Sequence, residues 1–154
     1  MPTPEERLQE LGVSLPAPAV PVAAYVPCVR TGTLVYVSGQ VPLVDGKPSH
    51  LGHLGDDVDL ESGRAAARTC AVNVLAALKA ELGELSRVRR VVKVTGFVAS
   101  TPGFTDTPKV INAASELLGE VFGEPGRHAR AAVGVAALPL GVPVEVEAIV
   151  EVEG

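Results

Sequence analysis

Tryptophan is absent from this chain of 154 residues, and two Tyr and three Phe supply all of its aromatic rings, 3% of the residues. A core built around large rings is therefore excluded. The apolar residues, 47% of the chain, are mostly Val, Ala and Leu. Such small and β-branched side chains suit a sheet covered closely by helices or by another subunit. Cysteine is scarce too. Cys28 and Cys70 are the only two and lie far apart without CxxC spacing, so neither a disulfide framework nor a zinc site is indicated. Basic residues are outnumbered, 13 Lys and Arg against 18 Asp and Glu, for a net charge of −5. That balance argues against nucleic acid as a partner, because neutralising phosphates needs a cluster of cations. The one basic cluster, Arg87-Val88-Arg89-Arg90, leads into an apolar run and marks a strand entrance. No apolar run approaches the ~20 residues of a membrane-spanning helix. The opening Met1-Pro-Thr-Pro-Glu-Glu6 carries acid where a secretory signal needs base. A cytoplasmic protein with no membrane partner is expected.

The length fits one domain, residues 1–154, able to bury roughly two thirds of the surface its unfolded form exposes. Residues 1–20 are expected to form an N-terminal helix and a Pro-rich lead-in. Thr3-Pro4-Glu5-Glu6 has the form of a capping box, Leu8 and Leu11 give a short apolar stripe, and Gly12 stops it. From Ser14 to Val22 the recurring prolines favour extended chain. Thr33–Ser38 reads as a strand between Gly32 and Gly39, with a second short strand over Gln40–Val44 turning on Asp45-Gly46. Residues 47–58 have no periodicity and read as a loop. Ala66, Cys70, Val74, Ala77, Leu78 and Leu82 recur at helical spacing, predicting a helix over Leu60–Leu82 with Asp57 or Asp59 as its cap and Gly83 at its end. Val88–Ser100 reads as a long strand. Val110, Ala113, Ala114, Leu117, Leu118, Val121 and Phe122 predict a second helix, capped by Thr107 and ended by Gly123. Two more strands follow, Ala129–Leu138 and Val142–Glu153. In the last, Val144, Val146, Ala148, Val150 and Val152 alternate with Glu145, Glu147, Glu151 and Glu153, so one face is buried and the other is wet or catalytic. The order β-β-α-β-α-β-β predicts an α+β or α/β sandwich, a mixed sheet packed on two long helices.

Three stretches resemble the RidA/YjgF family, also called the L-PSP endoribonuclease-like family. The first is Tyr25 followed by Leu34-Val-Tyr-Val-Ser-Gly-Gln40-Val-Pro42, similar to the family's Ser-Gly-Gln-Ile/Val-Pro strand end. The second is Cys70-Ala-Val-Asn73-Val-Leu followed by Val91-Val-Lys-Val-Thr-Gly-Phe-Val98. The third is Ala129-Arg130-Ala-Ala-Val-Gly-Val-Ala-Ala-Leu-Pro139, continuing into Val144-Glu-Val-Glu-Ala-Ile149. The resemblance implies a chorismate-mutase-like α+β fold, a homotrimer with three clefts between neighbouring subunits, and no metal or organic cofactor. It implies hydrolysis of reactive 2-imino acids or enamines to 2-oxo acids and ammonia. Two alternatives stand beside that activity: a non-catalytic binder or sensor of small carboxylic acids on the same scaffold, and an endoribonuclease, which the acidic balance disfavours.

Arg130 is the first candidate site residue. A guanidinium among Ala, Val and Gly needs a partner, because an unpaired buried charge is costly, and its planar fork matches a carboxylate. Water at an edge strand, or a structural pair with Glu145 or Glu147, would satisfy it as well; the resemblance makes it the group that clamps the substrate acid. Glu145 is similar to a family residue that orients the attacking water, where a carboxylate can accept a proton. Tyr25, Ser38, Gly39 and Asn112 resemble residues that shape the cleft. Two positions depart from the pattern. Ala132 stands where deaminase members often have Cys, and Gly134 where many have an acid, which puts the substrate class in question. His50 and His53 read as residues of a solvated loop, and His128 as either a strand-start or a cleft residue.

Overall fold

The computed structural model describes residues 1–18 and 23–154. Helix α1, Pro4–Glu10, forms behind the expected capping box. The Thr3 hydroxyl accepts from the Glu6 N–H at 3.1 Å, and the Glu6 carboxylate accepts from the Thr3 N–H at 2.8 Å. Residues 13–18 after it carry no regular structure, and residues 19–22 of the expected extended approach lie outside the described residues.

Strands β1 (Cys28–Thr31) and β2 (Leu34–Gln40) then form an antiparallel pair across Gly32-Thr33. Strand β1 is absent from the sequence expectation, because four residues at a largely exposed edge leave no alternation to read. The expected second strand over Gln40–Val44 is also corrected. Gln40 belongs to β2, strand pairing is interrupted at Val41-Pro42, and a separate hairpin of β3 (Leu43–Val44) and β4 (Lys47–Pro48) follows. Its turn is Asp45-Gly46 as expected, with both residues at positive φ, 52° and 79°.

Helix α2 occupies Leu60–Leu82, and its Asp59 cap accepts from the Ser62 N–H at 2.7 Å. Strand β5 (Val88–Ala99) starts beside the basic cluster, where Arg90 pairs with Glu151 at 2.8 Å. Helix α3 covers Thr107–Phe122. Asp106 takes the cap position and Thr107 is the first helical residue, so its expected capping role is replaced. Its hydroxyl donates to the Ala132 carbonyl at 3.0 Å, tying α3 to the sheet. Strand β6 (Ala129–Val135) ends three residues earlier than expected, because Ala136 O accepts from His53 and Pro139 opens a tight turn with Leu140 at φ 62°. Strand β7 spans Val144–Val152.

The five-stranded sheet runs β1-β2-β7-β5-β6, antiparallel except for the β5–β6 pair. This is the expected mixed sheet on two long helices. Both helices cover the same face. Ala66, Ala67, Cys70, Ala71 and Val74 of α2 and Val110, Ile111, Ala114 and Leu117 of α3 are buried with Val91, Val94, Val98, Val144 and Val150 of the sheet. Small side chains bring helix and sheet close: a Cβ at Gly96 would overlap the side chain of Ile111. Among the described residues no element covers the opposite face, and there Val29, Tyr36 and Val133 are 54%, 45% and 44% exposed.

Candidate functional site

The candidate residues fall into two groups, separated by the sheet. Strands pleat with period two, so residues side by side in register point to the same face. Across β7, β5 and β6 one such row is Ala148, Val94 and Arg130, and another is Glu145, Phe97 and Val133. Ala148 and Val94 are buried beneath the helices, whereas Phe97 and Val133 lie on the uncovered face. Arg130 is thus on the helix side at the free edge of the sheet, and Glu145 on the open side.

On the open side the site is built by a bulge in β2. Its register against β7 shifts between Val37 and Gln40, which re-aims Ser38 and Gly39. Ser38 secures the approach to β1, its N–H donating to Pro27 O at 2.8 Å and its hydroxyl to Val26 O at 2.6 Å. That sets Tyr25 at the rim. Gly39 lies directly beneath Glu145, and a Cβ there would overlap the carboxylate. Tyr25, Tyr36, Ser38, Gly39, Glu145 and Glu147 surround an open depression of about 550 Å³. Burial, helped by the negative charge of Glu147, raises the Glu145 carboxyl above the usual carboxylate range. A carboxylate that holds its proton more tightly is a better base once ionised.

On the helix side, Arg130 Nη1 donates to Asn112 Oδ1 at 2.8 Å and to Ser115 Oγ at 3.2 Å. The alternative pairing with Glu145 or Glu147 does not occur, and among the described residues no carboxylate forms an ion pair with Arg130. Beside it, Ser115, Gly119, Gly126, Arg127 and His128 complete a hollow of about 310 Å³. Ala132 and Gly134 follow Arg130 along the same face of β6, toward Ser100 and Thr107. His128 bonds to Ser115 and to the Gly126 carbonyl, placing it against the arginine. Ser115 and Tyr36 are additions the sequence reading missed. A usable signal for Ser115 was its place three residues after Asn112, on the polar edge of an otherwise apolar helix.

The two loop histidines stay outside both groups. Ser49 Oγ contacts His50 Nδ1 at 2.8 Å, and His53 Nε2 reaches Ala136 O at 2.8 Å. Among the described residues no group of three or more His, Cys, Asp or Glu comes together to hold a metal ion, and no helix is long and apolar enough to cross a membrane.

Comparison with known proteins supplies the context. A profile of the family described as "YjgF/chorismate_mutase-like, putative endoribonuclease" matches residues 5–151. Protein TCP17 of Trypanosoma cruzi is 51% identical over 145 residues, covering 94% of this chain and 91% of that one. A 2-iminobutanoate/2-iminopropanoate deaminase of Dermatophagoides farinae is 32% identical over 142 residues, 92% of this chain and 95% of its own. The crystal structure of the protein Atu1372, of unknown function, from Agrobacterium tumefaciens superposes with a TM-score of 0.92 at 54% identity, over 97% of this chain and 92% of that one.

Proposed function

The chain belongs to the YjgF/chorismate-mutase-like family, and from that premise we propose that it assembles as a homotrimer whose intersubunit clefts hydrolyse reactive 2-imino acids, or their enamine forms, to 2-oxo acids and ammonia. The observation that carries this reading is Arg130, a partly buried guanidinium held by two neutral acceptors and by no acid among the described residues. Its natural counter-charge is a ligand carboxylate, taken bidentately by the planar fork. The relative named as a 2-iminobutanoate/2-iminopropanoate deaminase supports the reaction class.

The site requires more than one copy of the chain. Arg130 and Glu145 face opposite sides of their own sheet, so a ligand clamped by one copy's Arg130 meets Glu145 only from another copy. The uncovered apolar face with Val29, Tyr36 and Val133 supports such an assembly, since burying it removes apolar surface from water. In the complete cleft, ionised Glu145 takes a proton from water as its oxygen bonds to the imine carbon. Glu145 hands that proton to the nitrogen of the carbinolamine formed from the protonated imine, then takes the hydroxyl proton as the C–N bond breaks, the carbonyl forms and ammonia leaves. Tyr25 and Tyr36 flank the ligand's chain, and Gly39 keeps the carboxylate's position open. No step in this sequence calls on a cofactor.

Ala132 and Gly134 favour a second reading, a binder or sensor of small carboxylic acids, because neither supplies a reactive or charged side chain beside Arg130. A coupled assay separates the two. An amino-acid oxidase generates 2-iminopropanoate or 2-iminobutanoate, and ammonia release is followed with and without the protein. Acceleration is expected for the enzyme; binding of 2-oxobutanoate without acceleration selects the binder.

A further inference from the structure

The hollow around Arg130 contains two groups that the proposed reaction does not use, Ser115 and His128. His128 Nδ1 lies 2.7 Å from Gly126 O, and its Nε2 lies 2.8 Å from Ser115 Oγ. A carbonyl oxygen has no proton to give, so Nδ1 carries the ring hydrogen. In the neutral ring Nε2 is then an acceptor, and the Ser115 hydroxyl must donate to it. The oxygen of Ser115 keeps its lone pairs, and one of them receives Arg130 Nη1 at 3.2 Å. The polarity of the whole chain is therefore fixed from a backbone carbonyl outward: Nδ1–H to Gly126 O, Ser115 O–H to Nε2, Arg130 N–H to Ser115 Oγ. Burial, with the charge of Arg130 acting in the same sense, favours the neutral ring that this arrangement needs.

Both anchors of Arg130, Ser115 and Asn112, fall on Nη1. They pin one corner of the fork. The Nε and Nη2 edge has no acceptor among the described residues, and it is an edge that can take a carboxylate with two parallel hydrogen bonds. An arginine free to rotate loses side-chain entropy when it clamps an acid, whereas one already held loses less.

We infer that Ser115 and His128 are positioning residues for Arg130, a relay from the Gly126 carbonyl that presents the Nε–Nη2 edge of the guanidinium to a ligand carboxylate. The inference rests on the proposed reading of Arg130 as the carboxylate clamp.

The test has a ligand arm and a ligand-free arm. In the first, calorimetry gives 2-oxobutanoate affinity for Ser115→Ala, Ser115→Thr, His128→Phe and His128→Gln, with thermal unfolding as a check on folding. Ser115→Ala and His128→Phe are expected to weaken binding roughly three- to tenfold each, the scale of one neutral hydrogen bond. Ser115→Thr keeps a hydroxyl and His128→Gln keeps an acceptor, so both should bind nearly as the parent does. In an Arg130→Ala background, Ser115→Ala should change residual affinity no further. Undiminished affinity in Ser115→Ala, or an equal loss with and without Arg130, overturns the relay. In the second arm, nitrogen-15 NMR above about pH 8, where an imidazole is neutral, should find the hydrogen of His128 on Nδ1. Arg130→Ala should shift the His128 ring signals, and Ser115→Ala should abolish that shift. A hydrogen on Nε2, or no shift, also overturns the relay. If the parent protein binds no 2-oxo acid while the ring signals behave as described, the proposed function falls and the relay stands.

Discussion

Arg130 contributes little to folding because it holds no ion pair among the described residues, only Asn112 and Ser115. Arg130→Ala should therefore change stability by no more than about 1 kcal/mol, roughly 2–4 °C in Tm. Binding should suffer more. A charge-assisted pair with a ligand carboxylate is worth about 1.5–3 kcal/mol, so 2-oxobutanoate affinity should fall at least about tenfold. A sharp drop in Tm with unchanged affinity would make Arg130 structural. Glu145 carries the opposite signature. Its folded-state pKa lies above that of the unfolded chain because burial and Glu147 disfavour the charge. Stability tied to its neutral form is present at low pH and lost as pH rises through the folded pKa. Glu145→Gln should accordingly raise Tm near pH 7, with the gain vanishing below about pH 4, where the parent carboxyl is protonated. Thermal scans across that range check it. Equal Tm values at every pH would mean that Glu145 is freely solvated. Cys28 is held back by the same physics: burial and the charge of Glu81 push its thiol up to about 11. Alkylation of the native protein near neutral pH should be slow at this residue.

Among the elements, α2, α3 and β7 were the most legible in the sequence. Each buries a complete stripe or face, so periodicity is written over many residues: Ala66 to Leu82, Val110 to Phe122, Val144 to Val152. Strand β1 and the β2 bulge were not legible. Four edge residues contain no period, and a register shift at Ser38-Gly39 is settled by pairing with β7 rather than by local propensity. Nor could the sequence say which face Arg130 occupies. Its strand, Ala-Arg-Ala-Ala-Val-Gly-Val, has small residues on both faces, and only the in-register neighbours Val94 and Ala148 decide the question. The candidate site residues were named through their resemblance to family motifs; their neighbours Ser115 and Tyr36 were not named. Gly96 is where element packing is most exposed to a single change. It lets α3 approach β5 against Ile111, so Gly96→Val should cost about 1–3 kcal/mol through overpacking. Urea unfolding reads that loss directly, and an unchanged midpoint would contradict the close approach.

For the whole molecule, the placement of the two site halves on opposite sheet faces is the main constraint. On the function proposed above, one copy would offer Arg130 as the carboxylate clamp and another Glu145 as the water-activating group, so activity would belong to the assembly. Sedimentation equilibrium at micromolar concentration should return three times the 15.8 kDa chain mass; a monomer would leave every cleft incomplete. Mixed assembly reaches further. Arg130→Ala chains keep Glu145, and Glu145→Gln chains keep Arg130, so neither forms a complete cleft alone. Co-assembled in equal amounts after joint refolding, they should regain ammonia release from imino acids at roughly a quarter of the parent rate, the share of clefts that draw both intact residues from different chains in a random closed trimer. Ammonia release no higher than that of either variant alone, from trimers verified as mixed, would contradict a site shared between subunits.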